Sequence, residues 1–146
     1  MKYIIGLSSV LFALWWGLFT ITPAWAVTQS HAPADAYAYI IEPTDGETVP
    51  QTFDVKFGVS GMGIAPAGVN RQNTGHYHLL IDVDELPDLT QPLPSNNHVK
   101  HFGKGQIEAT PTLSSGVHTL RLLLGDYAHV PHDNPVISAL VHINVE

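Results

Sequence analysis

The chain has 146 residues, with 6 Lys and Arg against 13 Asp and Glu and a formal net charge of −7. This acidic balance disfavours nucleic acid as a partner, because phosphate binding needs clustered cations. Cysteine does not occur in the sequence, which excludes disulfides, thiolate metal ligands and a thiol nucleophile.

Residues 1–26 predict a cleavable secretory signal peptide. Lys2 supplies a positive start, Ile4 to Ile21 form an apolar run, and Ala24-Trp25-Ala26 is a small-x-small cleavage site. An uncleaved anchor is the alternative, since a spanning helix needs about 20 apolar residues. Cleavage after Ala26 would leave 120 residues with a net charge of −8 and no Trp. We expect a periplasmic or secreted protein with no membrane segment after cleavage.

The remaining sequence predicts an all-β fold. A small, polar stretch at 27–36 indicates a flexible leader, and 37–146 form one domain with short apolar alternations but no helical period. Strands are expected at about 36–42, 53–60, 76–83, 98–102, 106–113, 117–124 and 136–145. Seven strands in a domain of about 110 residues predict an immunoglobulin-like antiparallel β-sandwich.

Five histidines are expected at one end of this sandwich. The loops after the second, fourth and sixth strands share an end, because successive strands alternate in direction. His76 and His78 begin the third strand, His101 precedes the loop after the fourth, and His129 and His132 lie in the last loop. Three separate segments should therefore bring imidazoles together.

The motif His76-Tyr77-His78 has a spacing suited to chelation. Side chains at i and i+2 of a strand share a face, and neutral imidazole is a common ligand for Zn, Cu(II) and Ni. Asp126 or Asp133 could ligate the ion or orient a ligand. The pattern predicts a divalent transition-metal site for Cu(II) or Zn. The alternative is surface polarity on a solvent-facing strand.

The other histidines and an acidic segment have simpler interpretations. We expect His118 at the edge of the core, His142 on a solvent-facing strand surface and His31 in the leader. The acidic run from Asp82 to Asp88 lacks the spacing of a calcium loop and contains Pro87, so a solvated loop is expected.

Four ordered segments resemble the bacterial family called domain of unknown function 4399. They are Gly75 to Asp82, His101 to Ala109, Gly116 to Leu120 and Leu124 to Asp133. The resemblance implies a small exported bacterial protein with one domain behind a signal peptide, and no assigned activity. Tyr77 and Tyr127 stand where the family often has further histidines, so a metal site here would have to do without those two ligands.

Three functions are compatible with the sequence. The first is a metal-binding exported domain, and the second is a metal-free immunoglobulin-like module that binds a protein or small ligand. An enzyme is the least favoured, because the sequence has no Gly-x-Ser-x-Gly elbow, phosphate-binding glycine loop or His-Glu-x-x-His helix.

Overall fold

The structure, a computed structural model, describes residues 28–146. The predicted signal-peptide helix and cleavage site lie outside these residues. Within the described part of the chain, no helix has the length and apolarity needed to cross a membrane.

Within residues 28–146, nine strands form two sheets. They are β1 (Tyr37–Glu42), β2 (Glu47–Val49), β3 (Val55–Ser60), β4 (Gly63–Ile64), β5 (Thr74–Ile81), β6 (Val99–His101), β7 (Glu108–Ala109), β8 (Gly116–Gly125) and β9 (Val141–Val145). One sheet has the order β1-β3-β7; the other has the order β2-β9-β8-β5-β4, with β6 also paired to β5. The first, second and fifth predicted strands thus face the third, sixth and seventh, the partition of immunoglobulin-like sandwiches. The predicted fold class is confirmed, and β2 and β4 are short additions that run parallel to their neighbours.

The main core lies between the two sheets. Alternate residues of β5 and β8 point into it, among them Tyr77, Leu79 and Leu122. From the opposite sheet, Val55 and Phe57 of β3 meet them, with the Phe57 and Tyr77 rings 5.1 Å apart. The two-residue alternation visible in the sequence therefore identifies the inward faces correctly.

The second face of β5 is also buried, contrary to the solvent-facing surface expected from its alternation. His76 is fully buried and His78 is 1% exposed, and Leu80 belongs to a second apolar cluster with Leu93 and Leu123. The segment between β5 and β6 covers one half of this face, and the loop between β8 and β9 covers the other. Both of these segments are long connections without a regular sequence pattern, so their position over β5 could not be predicted from the sequence.

The last predicted strand is shorter than expected. Residues 136–145 are predicted as one strand, but β9 covers only Val141–Val145. Leu120 pairs with Val141 whereas Leu123 pairs with Ile137, so the register changes by one residue between them. Strict alternation with Val141 and Ile143 in one strand would point Ala139 inward, but Ala139 is exposed as a consequence of this change.

The segment predicted as a flexible leader contacts the domain. Ala32 is fully buried, and Gln29 donates hydrogen bonds from Nε2 to the carbonyl oxygens of Leu89 at 2.9 Å and Pro131 at 3.0 Å. Residues 28–36 therefore lie against the same loop that covers the histidine face of β5.

Replacement of Leu122 by Ala should strongly destabilise the sandwich. Its side chain is fully buried between the sheets, and a Leu→Ala change in such a core costs about 2–5 kcal/mol through lost burial and the cavity left behind. Val117→Ala, on the same strand but 74% exposed, should cost less than about 1 kcal/mol. Urea unfolding followed by circular dichroism measures both, and equal costs would contradict the core described above.

Candidate metal centre

Four of the five predicted histidines meet at one place. They are His76 and His78 on β5, His101 at the end of β6 and His129 in the β8–β9 loop. One ring nitrogen from each lies within 4.8 Å of the corresponding nitrogen of every other. Rings of neighbouring histidines pack at centroid distances of 4.8–5.1 Å, for example His76 with His129 at 5.0 Å.

Strand register brings the first three together. His78 and His101 are direct antiparallel partners, which places their side chains on the same face of the sheet. His76 lies two residues before His78 and shares that face. The meeting of these three histidines therefore follows from one strand pairing, which the sequence does not specify because β6 is only three residues long.

Two glycines make room for the imidazoles. A Cβ at Gly103 would overlap Cε1 of His101, and a Cβ at Gly125 would lie 2.9 Å from Cε1 of His78 and 3.2 Å from the Cα of His129. Neither residue has a positive φ, so here glycine serves close packing. Gly125 is the last residue of β8 and pairs with His76. Its role in making room for the imidazoles can therefore be recognised only when the strand register is known.

Asp126 holds the fourth histidine in position. Its carboxylate accepts hydrogen bonds from the backbone N–H groups of Ala128 at 2.8 Å and Val130 at 3.0 Å and from the Ser30 hydroxyl at 2.6 Å. The loop places His129 at a φ of 68°, a left-handed conformation uncommon for a residue other than glycine. Asp126 thus orients a candidate ligand and is outside the ligand set. Asp133 bonds instead to His31 and Ala32.

Burial keeps the central imidazoles neutral at physiological pH. Desolvation, reinforced by the neighbouring histidines, lowers the pKa of His76 to about 4 and that of His78 to about 3. The pKa of His101 is lowered as well, first by burial and then by His129. Metal ligation requires the neutral form of imidazole, so these rings need not lose a proton to bind an ion at neutral pH.

Protein hydrogen bonds satisfy the cluster incompletely. Nε2 of His76 lies 3.1 Å from Nδ1 of His129. Among the described residues, three other buried nitrogens of the cluster find no partner: Nδ1 of His76, Nδ1 of His78 and Nε2 of His101. Each buried polar atom left in this state costs about 1–3 kcal/mol. Such a concentration at one place is typical of a site that binds something other than protein.

The spacing of the nitrogens fits a single ion. Four points separated by at most 4.8 Å fit within a sphere of radius about 2.9 Å, whereas Zn–N bonds are about 2.0–2.1 Å long. Each ligand atom therefore needs to move by less than about 1 Å. His101 and His129 are the two less buried members of the set.

His132 and the remaining histidines lie outside the cluster. His132 is 1% exposed, and its Nε2 lies 3.2 Å from the carbonyl oxygen of Thr74. Burial lowers its pKa as well. The others each have a different neighbour: His31 contacts Asp133, His98 the Ile81 carbonyl, His118 Asp82, and His142 Asp45. The structure thus unites His76, His78, His101 and His129 and separates His132 from them.

Residues 55–146 match the family model described as Domain of unknown function (DUF4399). The chain belongs to this family. Among solved structures, the fibronectin(III)-like modules of CbhA from Clostridium thermocellum are similar at 10% sequence identity and a TM-score of 0.40, over 75% of this chain and 45% of theirs. The chain thus spans less than half the length of that structure. Among curated proteins, none is significantly similar to it in sequence.

Acid should destabilise the metal-free DUF4399 domain through His76 and His78. Between pH 6.5, the ordinary pKa, and about pH 4, the unfolded chain binds protons at these residues that the folded chain does not. The free energy of unfolding should therefore fall as pH falls through this range, by on the order of 1 kcal/mol per pH unit. Urea unfolding at a series of pH values measures the slope.

The matched comparison uses two variants. The double variant His76→Asn/His78→Asn should have a shallower slope, whereas His142→Asn, which removes an exposed histidine, should leave the slope unchanged. Parallel slopes for the wild type and the double variant would contradict the burial-driven pKa shifts.

Proposed function

We propose that this protein is an exported metal-binding domain that holds one divalent transition-metal ion through His76, His78, His101 and His129. The observation that carries the proposal is the convergence of four imidazole nitrogens within 4.8 Å of one another. A lone His-x-His motif is weak support, because surface histidines often have this spacing. His101 and His129 come from separate segments and meet the same pair. Chance spacing of two histidines on one strand does not explain this convergence.

The type of ligand atom limits which metal ions the site can bind. All four candidate ligands are imidazole nitrogens, and no carboxylate belongs to the set. Imidazole suits Zn, Cu, Ni and Fe, whereas Ca and Mg prefer oxygen. Because affinity rises along the series towards Cu(II) and falls again at Zn(II), Cu(II) should bind most tightly, with Zn(II) as the other candidate.

The scaffold supports binding by a nearly preformed site. Both ligands on β5 are fixed by a strand that is buried on both faces, and Asp126 fixes the loop that carries His129. Little conformational entropy is then lost on binding. The lowered pKa values of His76 and His78 add to this, because ion uptake displaces few protons at neutral pH.

Metal titration tests the function directly. After treatment with EDTA and its removal, the purified protein should take up one Cu(II) or Zn(II) per chain near pH 7.5 by isothermal titration calorimetry. The nitrogen hyperfine pattern of bound Cu(II) in electron paramagnetic resonance should show coordination by several imidazoles.

Ligand variants make this test specific. His78→Ala should weaken binding by about 100-fold or more, since loss of even a residue that only supports a ligand costs 10–100-fold. His142→Ala, which changes an exposed histidine outside the cluster, should bind like the wild type. Absence of stoichiometric uptake by a folded wild-type protein would reject the metal function and leave the metal-free binding module as the better description.

We also propose that the protein is exported and cleaved after Ala26. The positive Lys2, the apolar run and the Ala24-Trp25-Ala26 motif support this. Expressed in a bacterium, the protein should accumulate outside the cytoplasm with Val27 as its first residue, measured by intact mass.

Changes within the signal test that proposal. Ala26→Arg should block cleavage because the peptidase accepts only small residues there, whereas Ala13→Leu, within the apolar run, should still be processed. A protein that keeps residues 1–26 in both cases would contradict cleavage.

A further inference from the structure

A second candidate site lies at the open edge of the sandwich. A cavity of about 540 Å³ separates β5 and β6 of the larger sheet from β7 of the smaller one. Its size falls within the range of about 300–1,000 Å³ typical of small-molecule pockets. The smaller sheet ends at β7, which has only two residues, so no further strand of that sheet closes the edge within the described part of the chain.

One wall of this cavity is apolar. It is formed by Leu79, Phe102, Ala109 and Pro111. Leu79 is fully buried behind its surface, and the ring of Phe102 packs at a tilt against Phe57 of the main core, with the ring centroids 5.0 Å apart. The wall is therefore a rigid continuation of the core, suited to the hydrocarbon part of a ligand.

The opposite rim carries hydrogen-bond donors. Asn96 uses its side-chain oxygen to accept from the backbone N–H groups of His98 at 2.8 Å and Val99 at 2.9 Å, which leaves its amide nitrogen free to donate. Within residues 28–146, Lys100 makes no ion pair with any carboxylate. Ser95 is a further rim residue with a hydroxyl, whereas the hydroxyl of Thr110 is directed to Asp54.

The charges around the cavity favour a negative ligand. The residues that line it include one lysine, Lys100, and no Asp or Glu; the nearby carboxylate of Asp54 accepts a hydrogen bond from Thr110. An ammonium group and a free amide donor lining the same cavity are suitable partners for a carboxylate, since charge-assisted hydrogen bonds are about twice as strong as neutral ones.

We propose that this cavity binds a small amphipathic carboxylate, with its apolar part against Phe102, Ala109 and Pro111 and its carboxylate at Lys100 and Asn96. The site does not depend on the metal centre, although His101 borders both. Experiments should therefore be performed with EDTA present, so that carboxylate binding to a metal ion is eliminated.

Octanoate is a suitable probe, with octanol as its uncharged analogue. In a titration of the purified ¹⁵N-labelled protein near pH 7.5, octanoate should cause saturable shifts of the amide signals of Leu79, Lys100, Phe102 and Ala109. Octanol should bind at least about tenfold more weakly, because it cannot pair with Lys100.

Two variants and a control decide the assignment. Lys100→Gln should weaken octanoate binding about tenfold or more and leave octanol binding unchanged, whereas Lys104→Gln, at an exposed lysine outside the cavity, should behave like the wild type. Ala109→Trp should abolish binding of both probes by filling the cavity. Shifts that do not saturate, shifts centred elsewhere, or equal affinity of wild type and Lys100→Gln for octanoate would overturn the proposal.

Discussion

The burial of β5 on both faces is the constraint on which the other features depend. One face supplies Tyr77 and Leu79 to the core between the sheets. The other is divided along its length: Leu80 joins a second apolar cluster, and His76 and His78 occupy the remaining part. A half-exposed strand would leave these imidazoles solvated and free to rotate. Because the strand is covered, they are fixed, desolvated and held neutral.

Covering histidines in this way has a cost that must be offset. Buried polar atoms without partners destabilise a fold by amounts comparable to a tenth or more of its total stability of about 5–15 kcal/mol. Gly103 and Gly125 are the residues that permit such dense packing of rings, and the hydrogen bonds of Asp126 hold the covering loop closed. The metal-free domain is therefore less stable than it would be without four imidazoles packed together.

Much of the fold could be predicted because apolar and polar residues alternate along several strands. The pattern of β3 and β8 directly shows which residues enter the core, and the order of loops in a sandwich indicates that the histidines gather at one end. The separation of His132 could not be predicted, since it depends on how the loop after β8 turns over Gly125. The burial of His78 could not be predicted either, because the loop between β8 and β9 that covers the histidine half of this face has no periodicity.

The short strand β6 links the two candidate sites through strand geometry alone. His101 pairs with His78 and Lys100 pairs with Leu79, so neighbouring residues of β6 point to opposite faces of the sheet. His101 faces the imidazole cluster, whereas Lys100 faces the cavity between the sheets. A shift of one residue in this pairing would exchange the two faces, placing an ammonium group among the histidines and an imidazole at the cavity. The register of three residues therefore determines which side chain of β6 joins the candidate metal centre and which one faces the neighbouring cavity.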